Sequence, residues 1–479
     1  MLLLALIASP VLAAGVAAAL ASESLRPYVL PAAAAGHLAL SLVALSASNP
    51  SSLGGWLALD PPGRLVLLLL SVLFLICSIY VVGYLRYRRE LSNRVFVPCL
   101  LLFLGMTTLV VCSQHVGLMW VAVEASTLTT APLIYFNRTP RSIEATWKYL
   151  LVGSVGIALA LLGSFFLAYA SLGDDPSLLF GDLLRRASHM NRSWLRVAFA
   201  LLLVGYGTKM GLAPMHTWKP DAYGEAPGVV GALLAGGMTS CAFLALLRVF
   251  RICQAGGEGA YASRLLVVFG LLSIAVAAIF MLGQRDFKRM LAYSSIEHMG
   301  ILVLGVGLGG YGIFAALLHM LNNGLTKGVL FLSAANIHRA FDSKSIDEVR
   351  GAMRRVPLSG TLFLFGFLAI TGSPPFGPFV SEFLIVSRAF AADRFFVGGG
   401  LLLLLLVVFA GMGRTVLPML QGQPSPEAER TSYHDGLLTG LPLVISMAIV
   451  LLFGLHIPSP IEALLRDAAA YLEMIPGAR

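Results

Sequence analysis

Residues 197–218 read VAFALLLVGYGTKMGLAPMHTW. The run is long enough to cross about 30 Å of hydrocarbon, yet Lys209 stands inside it and a glycine and a proline follow. A charge at that depth costs about 3 kcal/mol or more and marks an ion path by default. Pro214 has no N–H, and its ring clashes with the carbonyl of Met210, so the helix breaks there. Irregular backbone inside a bilayer survives only within protein or against water. The same arrangement returns in ITGSPPFGPFVSEF, residues 370–383. Gly372, Pro374, Pro375, Gly377 and Pro378 interrupt that run just before Glu382. Two broken spans, each beside a charge, predict an all-α polytopic membrane protein with an ionisable interior.

Composition points the same way. Of 479 residues, 58% are hydrophobic and only 12% are charged, against about 25% charged in a soluble protein. A water-soluble globular fold is excluded. The glycines and prolines show no period, which excludes collagen. Cys77, Cys99, Cys112, Cys241 and Cys253 lie in or beside apolar runs without CxxC spacing. Neither a metal site nor a redox cofactor is therefore expected in the chain, and no catalytic residue. The net charge of +9 is read as a device for orienting loops in a bilayer, not as a nucleic-acid surface. The apolar N-terminus lacks a basic leader and reads as a retained first helix.

Apolar runs fall at about 1–21, 27–47, 65–85, 95–113, 115–136, 147–172, 197–218 and 227–250, then at about 265–283, 290–308, 311–338, 358–389, 397–419 and 436–457. This predicts about 14 transmembrane helices. Loops on one side hold 18 Lys and Arg and those on the other hold 10, Lys219 and Lys288 being placed in loops of the richer side. That side is expected to be cytoplasmic, with both termini on the outer, periplasmic face of the cell membrane. Arg248, Arg388 and Arg414 lie near helix ends and are expected to snorkel. Residues 1–94 form helices one to three. Residues 95–250 and 265–419 hold five helices each, with the break in the fourth. Five is odd, so the second unit enters from the opposite side, an inverted repeat typical of transporters. Residues 436–479 supply helix fourteen and a tail.

Four charges are placed deep in spans: Glu124 in the fifth, Lys209 in the seventh, Lys327 in the eleventh and Glu382 in the twelfth. His319, Asn323 and Lys327 recur every fourth residue, on one helix face, about 6 Å apart. Such a stripe can hold a file of waters. His298, beside Glu297, and His216, at the mouth of the broken seventh helix, are weaker candidates for the path or its gating.

Several stretches resemble one family closely: GLAPMHTWKPDAYGEAPGVVGALLAGG, QRDFKRMLAYSSIEHMG, LLHMLNNGLTKGVLFLSAANIHR and GSPPFGPFVSEF. They are similar to the antiporter-like proton-translocating subunits of respiratory complex I, Mrp antiporters and membrane-bound hydrogenases, over roughly residues 60–420. SSIEHMG with the ending SEF looks most like the F-type subunit of hydrogenase-4 and formate-hydrogenlyase complexes. The resemblance implies that Glu124 pairs with Lys209, that Lys327 is the central lysine of a second half-channel and that Glu382 is its acidic exit. It also implies departures: Ser240 stands where the eighth helix often carries lysine or histidine, and Asn323 replaces a histidine. The expected activity is proton movement coupled to electron transfer in partners, namely other membrane subunits and peripheral redox subunits of a hydrogenase-like or complex I-like assembly. Alternatives are a stand-alone Mrp-type antiporter subunit, a membrane partner energising inorganic-carbon uptake, and a non-conducting scaffold.

Overall fold

The computed structural model describes residues 1–48, 50–88, 90–172, 177–426 and 431–474. Arg89, Arg430 and Arg479, which enter the side assignment above, lie outside the described residues. The first helices are α1 (Leu2–Ala19), α2 (Val29–Ser46), α3 (Pro61–Tyr87), α4 (Phe96–Cys112), α5 (Val116–Ile134), α6 (Pro140–Ala170) and the short α7 (Phe180–Arg186). Next come α8 (Arg192–Met210), α9 (Trp218–Glu225), α10 (Gly228–Leu233), α11 (Thr239–Ala255), α12 (Gly259–Met281), α13 (Phe287–Leu308) and α14 (Tyr311–Phe341). The last are α15 (Ala352–Arg355), α16 (Pro357–Ile370), α17 (Gly377–Ala391), α18 (Phe395–Leu420), α19 (Leu437–Leu455) and α20 (Ser459–Glu473). Between α2 and α3 a two-residue antiparallel hairpin pairs Ser51–Ser52 with Leu57–Ala58.

Helix occupies each of the apolar runs read from the sequence, and 10 segments of the described chain are long and apolar enough to cross a membrane. α8 and α14 are not among them: α8 carries Arg192, Arg196 and Lys209, and α14 carries His319, Asn322, Asn323 and Lys327. Side-chain caps mark where helices start. Asp60 accepts from Gly63 at 3.1 Å before α3, and Asp286 accepts from Lys288 at 2.8 Å before α13.

Small residues let the helices close on one another, as in other membrane bundles. On α8, a Cβ at Gly205 would lie 2.6 Å from the backbone of Ala160 on α6. On α12, one at Gly270 would lie 2.8 Å from the carbonyl of Gly300 on α13. α3, α10, α11, α13 and α14 are buried over most of their length, whereas α1, α2 and α18 leave large apolar side chains such as Leu12, Val43 and Leu406 exposed. With no water to avoid, such an outer face suits lipid.

Two expectations are corrected here. Arg248 does not snorkel: it is buried and gripped by Asp60 at 2.8 and 2.9 Å and by the carbonyls of Val110, Val111 and Ser113 at 2.7–3.1 Å. The carboxylate that caps α3 thus also neutralises an interior cation. The C-terminal tail is helical as α20; its buried residues Leu465, Ala468, Ala469 and Leu472 form one face, a pattern that a search for continuous apolar runs passes over.

Candidate functional site

α8 ends where Gly211 takes a left-handed conformation, φ +80°, which a glycine adopts without steric cost. The chain resumes helix only at Trp218, so Lys209 sits in the last turn of α8, one residue from its open end. Its Nζ lies 3.2 Å from Glu124 Oε2 and 2.6 Å from Thr127 Oγ1, both on α5. Lys209 is buried, and Glu124 is 21% exposed. Gly153 on α6 makes the room: a Cβ there would stand 2.9 Å from the ammonium. One turn along α5, the Thr130 hydroxyl lies 2.6 Å from the phenol of Tyr149, whose ring packs 5.1 Å from that of Trp218.

The second cluster gathers four helices. Lys327 on α14 is buried and donates to the Leu291 carbonyl of α13 at 3.3 Å. On the same α14 face, His319 Nε2 lies 2.9 Å from His298 Nδ1 of α13, and His319 Nδ1 lies 2.9 Å from Ser381 Oγ of α17. His298 stands 3.8 Å from Glu297 Oε2 and 3.9 Å from Glu382 Oε1. α16 stops at Ile370, Gly372 has φ +67°, and a Cβ on it would meet Glu382 Oε2. The break therefore places the carboxylate against open backbone. Both Glu297 carboxylate oxygens, Ser294 Oγ, His298 Nε2, Asn323 Oδ1 and Glu382 Oε1 are buried without a hydrogen-bond partner in the protein. Buried polar groups are bonded as a rule, so this row of atoms fits bound water or protons in transit.

The ligand atoms of His298, His319 and Glu382 also lie within 4.8 Å of one another; two imidazoles and a carboxylate form a donor set that zinc accepts. The direct 2.9 Å contact between the imidazoles already satisfies one nitrogen of each.

The structure thus brings Glu124 to Lys209, and gathers His298, His319 and Glu382 on the helix face that leads to Asn323 and Lys327. Two candidates stay apart. His216 is half-buried, bonds its own loop through the Pro214 carbonyl at 3.2 Å and faces Phe280, 6.5 Å away. Asp221 and Glu225 pair instead with Lys148 at 2.9 Å and Lys344 at 2.6 Å. Ser240, just beyond a π-turn at Leu234–Met238, bonds back to Gly236 at 2.6 Å.

Sequence reasoning passed over Glu297, Ser381 and Thr127 as members of the two clusters. It also placed Lys219 and Lys288 in loops, and the structure corrects this: both are buried. Lys288 bonds the Ala226 carbonyl at 2.6 Å. Lys219 reaches back beneath the helix break. The available signal was position, since residues that follow a break inside protein remain inside it.

Residues 113–412 match the family described as NADH:quinone oxidoreductase/Mrp antiporter, transmembrane. A hydrogenase-4 component F homolog of Methylacidiphilum infernorum is 36% identical over 367 residues, which cover 74% of this chain and 75% of that one. A subunit in the structure of respiratory complex I from Thermus thermophilus with bound aureothin superposes with a TM-score of 0.78 at 26% identity, covering 98% of this chain and all of that one. One in the Mrp complex from Dietzia sp. DQ12-45-1b shares the fold, with a TM-score of 0.86 at 21% identity and 98% of each chain covered.

Proposed function

The chain belongs to the NADH:quinone oxidoreductase/Mrp antiporter transmembrane family, and on that premise we propose that it moves protons as the antiporter-like membrane subunit of a hydrogenase-linked redox complex. Electron transfer is assigned to partners: peripheral redox subunits and further membrane subunits beside this one. The observation that carries the reading is the series of ionisable groups, buried apart from the half-buried Glu124 and drawn from different helices, that runs from Glu124 and Lys209 to Lys327 and on through His319 and His298 to Glu382. Static glue between helices would use serine and threonine at lower desolvation cost.

In this reading, fourteen helices cross the cell membrane and both termini face outside. Residues 1–94 and 436–479 flank two inverted five-helix units, 95–250 and 265–419. Lys209 takes a proton when Glu124 stands close and gives it up when Glu124 withdraws. Lys327 receives it, Asn323 and His319 line the file, and Glu382 releases it to the outer face. His298 borders the path between His319 and Glu382. The wedge of charges among Lys148, Asp221, Arg289, Glu225, Lys344 and Asp286 supplies a hydrated inlet. The alternatives, a stand-alone Mrp-type antiporter subunit and a membrane partner energising inorganic-carbon uptake, are separated by genomic neighbours.

The test is proton uptake by vesicles holding the purified complex. Lys209→Ala should abolish it while assembly and electron transfer continue, since the Glu124 carboxylate left behind is 21% exposed and can be solvated. Wild-type uptake in that variant would refute the role.

A further inference from the structure

Lys219 is fully buried, and the partners of its ammonium are all uncharged. It lies 2.5 Å from the Met210 carbonyl, 3.0 Å from Ser295 Oγ and 3.5 Å from the Ser295 carbonyl. The Met210 carbonyl belongs to the residue after Lys209 and lies at the open end of α8. Gly211 leaves the passage for the side chain: a Cβ there would lie 2.5 Å from Lys219 Cδ and 2.9 Å from its Nζ. On the other side, Ser295 is one turn of α13 beyond Leu291, whose carbonyl takes the Lys327 ammonium. Two lysines from different helices therefore converge on a single helical turn, about 6 Å long.

The space toward Lys209 is also polar. Thr127, Thr130 and Tyr149 lead away from Lys209, Trp218 packs against Tyr149, and Tyr223 packs 6.0 Å from Trp218. The Tyr223 ring centroid is 5.6 Å from Lys219 Nζ, and its hydroxyl is buried with no hydrogen-bond partner. Ser240, on α11, bonds back to its own turn through the Gly236 carbonyl.

We propose that Lys219 is the proton-holding link between the Lys209 and Lys327 clusters. The inference rests on the proton-moving reading above. The Lys209 ammonium gives up one N–H bond, the Lys219 amine forms one, and the positive charge moves with the proton; the same exchange then passes it to Lys327. No electrons move. The competing role is a fixed cap on the carbonyl end of α8, which any cation in that place would serve.

The test uses the whole complex in vesicles, with Lys209→Ala run alongside to define this subunit's share of proton uptake per electron. Lys219→Met should cut that share about tenfold or more, as loss of a proton-transfer group does, with subunit content unchanged. Lys219→Arg keeps the charge and donors but cannot deprotonate, so it should fail as Met does. Full uptake in either variant overturns the link, and recovery by Arg alone assigns the capping role. If Lys219→Met does not assemble, Ser295→Ala decides: it removes one hydroxyl and no charge, a reduced share supports the link and an unchanged one overturns it. Wild-type uptake by Lys209→Ala would overturn the proton-moving reading and this link with it. Loss in Lys209→Ala with full uptake in Lys219→Met would overturn the link alone.

Discussion

Glu124→Gln preserves the outline of the side chain and removes only its charge. At 3.2 Å and an effective dielectric of about 20, Coulomb's law gives about 5 kcal/mol of attraction between Glu124 and the Lys209 ammonium. Each 1.4 kcal/mol is about a factor of ten, so the attraction favours a charged Lys209 by roughly 10³-fold. The Thr127 hydroxyl at 2.6 Å remains in the variant but carries no charge. Lys209 should then no longer capture the proton that starts each cycle. Proton uptake by vesicles bearing the purified complex, with electron-transfer rate and subunit content measured together, should fall by about tenfold or more, in keeping with loss of one acid–base group. Glu124→Asp shortens the side chain by one methylene and should retain part of the activity. Equal loss in both would assign Glu124 a purely geometric role, and unchanged uptake in both would refute the tuning argument.

Three further outcomes follow from the geometry. Lys209→Arg should assemble yet fail to pump, because guanidinium does not deprotonate in proteins; wild-type uptake would contradict it. Gly153→Ala places a methyl 2.9 Å from the Lys209 ammonium and should lower proton uptake without loss of subunit, whereas Gly36→Ala, which meets nothing within 4 Å, should be silent. Asp60→Asn strands the buried Arg248 guanidinium and should cost about 3 kcal/mol or more, read as a lower midpoint of thermal inactivation; an unchanged midpoint would show that the carbonyls of Val110, Val111 and Ser113 suffice.

The membrane class and the helix positions were legible because hydrophobic length and proline chemistry are local properties. Lys209, Lys327 and Glu382 stood out for the same reason: each is a charge in an apolar run. Lys219 did not, because residues after a break resemble a loop until the Met210 carbonyl and Ser295 are seen to receive the side chain. Glu297 becomes informative only when α14 and α17 bring His319 and Glu382 beside its neighbour His298. Arg248 resembles a residue able to reach the interface, and only the fold supplies Asp60 from far along the chain. The π-turn at Leu234–Met238 has no local signature; a Cβ at Gly236 would collide with the Leu73 side chain, so its geometry is tied to tertiary packing. α20 escaped notice because its apolar residues share one face.

Glu382→Gln tests conduction against scaffolding most directly. The amide keeps the shape beside Gly372 and His298, so a scaffold loses nothing, while a group that must accept and release a proton loses its capacity. The measurement is proton uptake per electron by vesicles containing the complex, with subunit content followed in parallel. A conducting Glu382 predicts intact assembly and strongly reduced uptake; full uptake by Glu382→Gln in an intact complex would contradict that role.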